Sequence, residues 1–226
     1  MIVISLGGSI VAPDEVDVAF IAAFRDLLTG YHHSSGDRAI LVIGGGAPAR
    51  KYQQAFRQIA GESHDAQDWI GIMATRLNAE LLRHSLAPLC SDPVVYDPTA
   101  EFPFTGAVLV AAGWKPGFST DFDAVMLAER FGADTVINLS NIEKVYTADP
   151  RQDPTARPLD RVSWEEFRGI VGETWTPGGN LPFDPVATRR AAELGLRVVA
   201  AAGKNLENTR AILAGERFVG TQIGPE

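Results

Sequence analysis

Leu41-Val42-Ile43-Gly44-Gly45-Gly46 runs directly into Ala47-Pro48-Ala49-Arg50-Lys51-Tyr52. A short apolar run that ends in glycines and leads into a helix-compatible segment with an early proline reads as a buried strand, a tight turn and a helix N-terminus. Glycines let backbone N–H groups come close to a ligand, and the positive end of the helix dipole favours an anion there. Arg50 falls about one turn into this helix, where its guanidinium can fork onto phosphate or carboxylate oxygens. A glycine turn that only packs helix against sheet is the competing reading, and this stretch alone leaves the two level. No Gly-Lys-Ser/Thr follows and the spacing is not G-x-G-x-x-G, so neither the Walker A loop nor the dinucleotide fingerprint is present.

The same unit recurs on either side. Residues 2–6 are apolar, as in a strand buried on both faces, and end in Gly7-Gly8-Ser9. Ala107 to Ala112 is a third such strand, followed by Gly113-Trp114-Lys115-Pro116-Gly117-Phe118-Ser119-Thr120-Asp121 and a helix through Arg130. Core strands are expected at 134–139 and 197–201, with a terminal strand at 218–223. Helical spacing marks 17–28, 49–60, 66–86, 184–194 and 206–214. Ser163 and Glu166 are spaced as a capping box at the head of a helix over 163–170. Residues 31–37, 88–105, 140–150 (apart from a short β excursion at 144–146) and 175–180 read as loops. Strands alternating with helices imply a mostly parallel sheet covered on both faces, with ligands beyond the carboxyl ends of its strands, where the glycine turns gather.

Composition narrows the function. At 226 residues, 46% hydrophobic and 21% charged, the chain has ample core. A net charge of −8 argues against general nucleic-acid binding. Cys90 is the only cysteine, so no intrachain disulfide forms. No stretch is long and apolar enough to span a membrane, and the first residues open as a core strand rather than a signal peptide, which makes the cytoplasm the expected compartment. Only Lys51, Lys115, Lys144 and Lys204 are lysines.

Several anion-friendly turns on one sheet edge suit a ligand with more than one phosphate, or two phosphorylated ligands. Phosphoryl transfer needs positioning and charge neutralisation more than covalent chemistry. Arg50, Lys115 and Lys144 can supply positive charge, and Asp121 or Asp184 can orient groups or meet Mg²⁺. Each acid also has a plain structural reading. Ser119, Thr120 or Asp121 can cap the helix that follows, Asp184 precedes a proline as an ordinary N-cap does, and Asp68 can compensate a helix dipole. No Gly-x-Ser-x-Gly elbow, metal-ligand cluster or Cys/His pairing points to hydrolysis.

Ile4-Ser5-Leu6-Gly7-Gly8-Ser9, Val42-Ile43-Gly44-Gly45-Gly46 and the run Ser140 to Pro150, with Val145-Tyr146-Thr147-Ala148-Asp149-Pro150, resemble the amino acid kinase superfamily. Asp68, Thr75-Arg76-Leu77-Asn78, Pro116 to Asp121, Phe183-Asp184-Pro185 and Val219-Gly220-Thr221 extend the resemblance nearly end to end, closest to UMP kinases of the archaeal type. The resemblance implies a three-layer α/β/α sandwich in a single domain, with an acceptor lobe over about 1–130 and an ATP lobe over about 131–226. It implies ATP and UMP as substrates, Mg²⁺ as cofactor, and a homo-oligomer, usually a hexamer. Carried onto this sequence, Gly45, Gly46 and Arg50 would hold the UMP phosphate and Asp68 the ribose hydroxyls, with Thr120 and Asp121 beside the nucleotide. Gly7, Gly8 and Ser9 would face the transferring phosphoryl group, Asn141, Tyr146 and Asp149 would belong to the ATP site, and Asp184 would organise the catalytic centre.

The chain departs from the pattern in three places. Ser5 stands where many members carry a lysine, Glu143-Lys144 replaces a common Asp-Gly, and Lys115 stands where a histidine is frequent. Lys144 near the ATP phosphates would offset the missing lysine, and Lys115 would approach a phosphate. The alternatives are a superfamily kinase for another small acceptor such as isopentenyl phosphate, whose pocket would not need Asp68, and a nucleotide-binding protein of the same fold without turnover.

Overall fold

A computed structural model of the chain describes residues 1–172 and 181–225; the loop expected at 175–180 lies outside the described residues. Five parallel strands carry the core: β1 (Ile2–Leu6), β2 (Ala39–Ile43), β3 (Val108–Ala111), β4 (Thr135–Ser140) and β8 (Arg197–Ala202). The short strands β7 (Arg161–Val162) and β9 (Thr221–Ile223) complete a sheet of order β3-β2-β1-β4-β8-β9-β7, in which only the β8–β9 pairing is antiparallel. A separate hairpin pairs β5 (Val145–Tyr146) with β6 (Pro158–Leu159).

The near-continuous apolar strands follow from burial on both sides. Successive side chains of a strand point to opposite faces. Ile4, Leu6, Leu41, Ile43 and Leu139 accordingly pack into one core, and Val3, Ile40, Val42 and Val136 into another. The first core is roofed by α1 (Gly8–Val11), α2 (Val18–Ser35), α4 (His64–Ser85) and α8 (Leu206–Leu213). The second is roofed by α5 (Thr120–Phe131), α6 (Trp164–Val171) and α7 (Pro185–Glu193). The result is the expected three-layer α/β/α sandwich. Helix α3 (Gly46–Ala60) buries only Gly46 and Ala47 and packs against α4 and α1.

Most expected elements are present, and the differences have local causes. The glycine turn at 7–9 is one residue long, because Gly7 is an N-cap and α1 starts at Gly8. Helix α2 takes over residues 31–35 of the expected loop at 31–37, with His32 and His33 in its last turn, until Gly36 ends it at φ +71° in the left-handed region. Helix α4 starts at His64, where the Ser63 side chain accepts from the Ala66 amide. The capping box of Ser163 and Glu166 forms as expected. Within 88–105, Val95 bridges to Ala111 and extends the sheet edge beyond β3. No helix of the described residues is long and apolar enough to cross a membrane.

Candidate active site

The glycine turns after β1 and β2 nest backbone against backbone. A Cβ on Gly8 would lie 2.0 Å from the Gly46 nitrogen and 2.6 Å from the carbonyl carbons of Gly44 and Gly45. Gly46 adopts φ +67°, and a Cβ there would meet the Gly8 carbonyl oxygen at 2.4 Å. Hydrogen bonds fix this contact: the Gly44 amide donates to Leu6 O at 2.9 Å, and the Ala47 amide donates to Ala12 O at 2.9 Å. Behind it, the buried Asn78 of α4 donates from Nδ2 to Gly44 O (2.8 Å) and Gly45 O (3.1 Å). The glycines therefore pack the two turns closely and leave an open backbone edge beyond the strand ends.

That edge opens on a cleft of about 580 Å³ at the carboxyl ends of the parallel strands. It brings together Ser9, Gly45, Gly46, Arg50, Asp68, Thr120, Asp121, Asn141 and Asp184, all residues singled out from the sequence. Arg50 reaches the Pro13 carbonyl at 3.3 Å and makes no salt bridge among the described residues, so its charge is available to an anion. The half-buried Asp68 accepts from the Gly117 amide at 2.9 Å, and burial raises its carboxyl above the usual range.

At the opposite wall, Ser119 is the residue that caps α5, accepting from the Phe122 amide at 3.2 Å. Asp121 is thereby released from capping and accepts from Ser5 Oγ at 2.9 Å and from the Asp184 amide at 3.2 Å. Ser5 thus presents a neutral donor to Asp121. Burial, together with the neighbouring Asp184 carboxylate, pushes Asp121 up to about 6 despite these hydrogen bonds. Asp184 is the N-cap the sequence allowed, and it also borders the cleft. Its Oδ1 accepts from the Ala187 amide at 2.7 Å as the N-cap of α7, and its carboxylate, 5% exposed, lines the cleft.

Six further sequence candidates do not line this cleft. Gly8 backs it, and Gly7, the α1 N-cap, donates its amide to Leu139 O at 2.8 Å. The Lys115 ammonium sits 3.8 Å from the Trp114 ring centroid, a cation–π contact on the rim. Lys144 is ion-paired with Asp160. Tyr146 lies in β5, which is pinned to the sheet where the Val145 amide donates to Thr221 Oγ1 at 2.9 Å. Asp149 accepts from Arg151 and Gln152.

Sequence reasoning assigned no individual role to four polar residues that shape the site. Thr75 Oγ1 accepts from the Gly113 amide at 2.8 Å, and Gln53 Nε2 donates to Gln67 O at 2.8 Å beside Asp68. Asn138 Nδ2 donates to Pro182 O at 2.8 Å and so holds the segment that carries Asp184. Asp123, 1% exposed, accepts from the Trp114 amide at 3.2 Å. The available signal was polarity out of place: Thr75 and Asn78 on the buried stripe of α4, and Asn138 within an apolar strand.

Known proteins share the sequence pattern and the fold. The sequence model described as "Amino acid kinase family" matches residues 1–200. A uridylate kinase of Methanospirillum hungatei is 37% identical over 98% of this chain and 94% of its own, and one of Hyperthermus butylicus is 35% identical over 96% and 95%. The crystal structure of uridylate kinase from Archaeoglobus fulgidus superposes with a TM-score of 0.83 at 32% identity, covering 99% of this chain and 100% of that one. The UMP kinase of Bacillus anthracis, 20% identical with a TM-score of 0.77, shares the fold.

Proposed function

The chain belongs to the amino acid kinase family, and we propose that it transfers the γ-phosphoryl group of ATP to UMP, giving ADP and UDP for pyrimidine nucleotide synthesis in the cytoplasm. The observation that carries this reading is a single cleft lined by the Gly45-Gly46 turn with Arg50 and Asp68 on one side, and the Asp121–Asp184 pair on the other.

In this reading residues up to about 130 hold the acceptor and those beyond it hold ATP. The amides of Gly45 and Gly46 and the Arg50 guanidinium take the UMP phosphate, and Asp68 accepts from the ribose hydroxyls. Ser9 and Gly8 face the transferring group, Thr120 and Asp121 flank the nucleotide, and Asn141, Tyr146 and Asp149 serve ATP with Gly7. No general base is required, because a phosphate monoester is already an anionic nucleophile at neutral pH. What the chain supplies is alignment, together with charge placed where the equatorial oxygens develop it.

The donor set fits Mg²⁺. Mg²⁺ sites use one or two carboxylates and complete the coordination with phosphates and water, and Asp121 and Asp184 are two adjacent carboxylates, the first driven up mainly by burial and further by the charge of the second. When bound, the ion would offset that repulsion and neutralise phosphate charge. Lys144 and Lys115 remain candidates for additional positive charge toward a phosphate, although in the structure Lys144 is held by Asp160 and Lys115 lies on Trp114.

The direct test is ADP release from Mg²⁺-ATP with UMP, CMP, AMP, isopentenyl phosphate or N-acetylglutamate as acceptor. Strong turnover with UMP alone is expected. Turnover with isopentenyl phosphate instead would keep the chemistry and overturn the pocket assignment. ATP binding without turnover on any acceptor would make the chain a nucleotide-binding protein of this fold.

The proposed homo-oligomer, a hexamer by resemblance, draws support from an exposed apolar face on α4. Trp69, Met73, Leu77 and Leu81 recur every fourth residue on its outer face and are 44%, 58%, 69% and 38% exposed, with Tyr52 and Ile59 exposed on the neighbouring α3. Such a contiguous apolar face is unusual on a monomer. Leu77→Asp should shift the mass measured by light scattering to a smaller species while far-UV circular dichroism stays unchanged. An unaltered mass would remove this face from the interface.

A further inference from the structure

The segment between β3 and α5 lies against the cleft, with Gly113 and Phe118 among its lining residues. It is irregular, so its backbone groups have no ladder to satisfy them. Side chains of the flanking helices take them instead. Thr75 of α4 receives the Gly113 amide, Asp123 of α5 receives the Trp114 amide at 3.2 Å, Arg76 of α4 donates from Nη2 to the Trp114 carbonyl at 3.2 Å, and Asp68 receives the Gly117 amide. Trp114 is therefore gripped at both its amide and its carbonyl, from two different helices. Its ring lies 5.2 Å from that of Phe118, which lies 4.6 Å from that of Phe122, so the position of Trp114 is passed to Phe118, which lines the cleft.

Asp123 is the unexpected member of this set. A carboxylic acid 1% exposed, in the first turn and a half of α5 and close to Asp121, is costly to bury. Capping does not account for it, since Ser119 caps the helix. Its Oδ2 holds the Trp114 amide, and its Oδ1 is buried without a hydrogen-bond partner among the described residues.

We infer that Asp123 is a positioning residue for the acceptor: by holding the Trp114 amide it sets the 113–118 segment, and with it Phe118 and the Gly117 contact to Asp68. The inference rests on reading this cleft as the UMP site. Asp123 itself touches no reacting atom. It acts through Trp114, and its loss is felt in acceptor binding rather than in the phosphoryl step.

The experiment compares D123A with D123N under saturating Mg²⁺-ATP, varying UMP, and then the reverse. Asn keeps an acceptor oxygen in the same place and so can still receive the Trp114 amide. D123A should raise KM for UMP about tenfold, equivalent to roughly 1.4 kcal/mol, with kcat and KM for ATP within about twofold of wild type. D123N should restore KM for UMP to within about twofold. Should D123A not yield folded protein, D123S serves the same comparison. The inference is overturned if D123A lowers Tm while leaving KM for UMP unchanged, if it alters UMP and ATP parameters alike, or if D123N is as impaired as D123A. The wild type in the same assay tests the cleft reading separately: absent UMP turnover there discards the proposed function, whereas the variant ratios address the clamp.

Discussion

Asp184→Asn should fold with near wild-type stability and lose about 10³-fold in kcat. The two halves of this expectation come from the two sides of one carboxyl group. Asp184 Oδ1 accepts from the Ala187 amide at 2.7 Å, the ordinary task of an N-cap, and Pro185 follows at the first helical position. Asn caps as well as Asp, whereas an Ala there would cost ~1 kcal/mol. The backbone amide of residue 184 still donates to Asp121, because the substitution leaves it in place. What disappears is a negative charge, 5% exposed, in the cleft where phosphate and Mg²⁺ would meet. A 10³-fold loss corresponds to ~4 kcal/mol on the barrier, since each ~1.36 kcal/mol is tenfold. A cap and an electrostatic organiser therefore differ in size as well as in kind, and the pair of measurements separates them. Thermal melting reads the cap, and steady-state kinetics at saturating ATP and UMP read the charge. Near-normal turnover in a well-folded variant would reduce Asp184 to a helix cap.

The sheet was legible because two-sided burial leaves an unambiguous imprint. Leu41-Val42-Ile43 and Val108-Leu109-Val110 have no polar residue to spare for solvent, and both became fully buried strands. Helix α1 was not legible, because a four-residue helix is created by the contact of Gly8 with Gly46 rather than by any local preference. The two-residue strands β6 and β7 likewise exist through their partners, and nothing in Pro158-Leu159 or Arg161-Val162 specifies pairing. The site divides along the same line. Arg50 and Asp68 stand out because a charge next to a glycine turn, or at a helix start, is visible within a few residues. Thr75 and Asp123 act on Gly113 and Trp114, the first from 38 positions away, and a polar residue on a helix carries no mark of such a partner. Ser5 illustrates the limit from the other side. Its departure from the lysine pattern was visible, but its bond to Asp121, 116 residues distant, was not.

The second large effect is expected from a single methyl group. Gly8→Ala should lower both stability and activity severely, whereas Gly30→Ala should be neutral or mildly stabilising. At Gly8 the added Cβ would fall 2.0 Å from a backbone nitrogen and 2.6 Å from two carbonyl carbons, all belonging to the turn after β2. No side chain is present to rotate aside, so a whole turn must move. Overpacking of a core costs about 1–3 kcal/mol when side chains can adjust, and displacement of backbone puts Gly8→Ala at or above the top of that range. For a protein of this size each kcal/mol shifts Tm by roughly 2–4 °C, so a fall of about 10 °C follows. The same movement would displace Gly45 and Gly46, the amides proposed to hold the acceptor phosphate, and a misplacement of about 1 Å can cost ~10²-fold in rate. At Gly30, inside α2, an added Cβ meets nothing within 4 Å, and replacing a mid-helix glycine by alanine gains about 0.5–1 kcal/mol. Gly7→Ala should fall between them, its nearest neighbour being the Leu139 carbonyl oxygen at 3.1 Å. Differential scanning calorimetry and UMP-dependent ADP release on the three variants give the ordering. If Gly8→Ala melted and turned over as Gly30→Ala does, the two glycine turns could not be nested as described, and the cradle built on them would have to be abandoned.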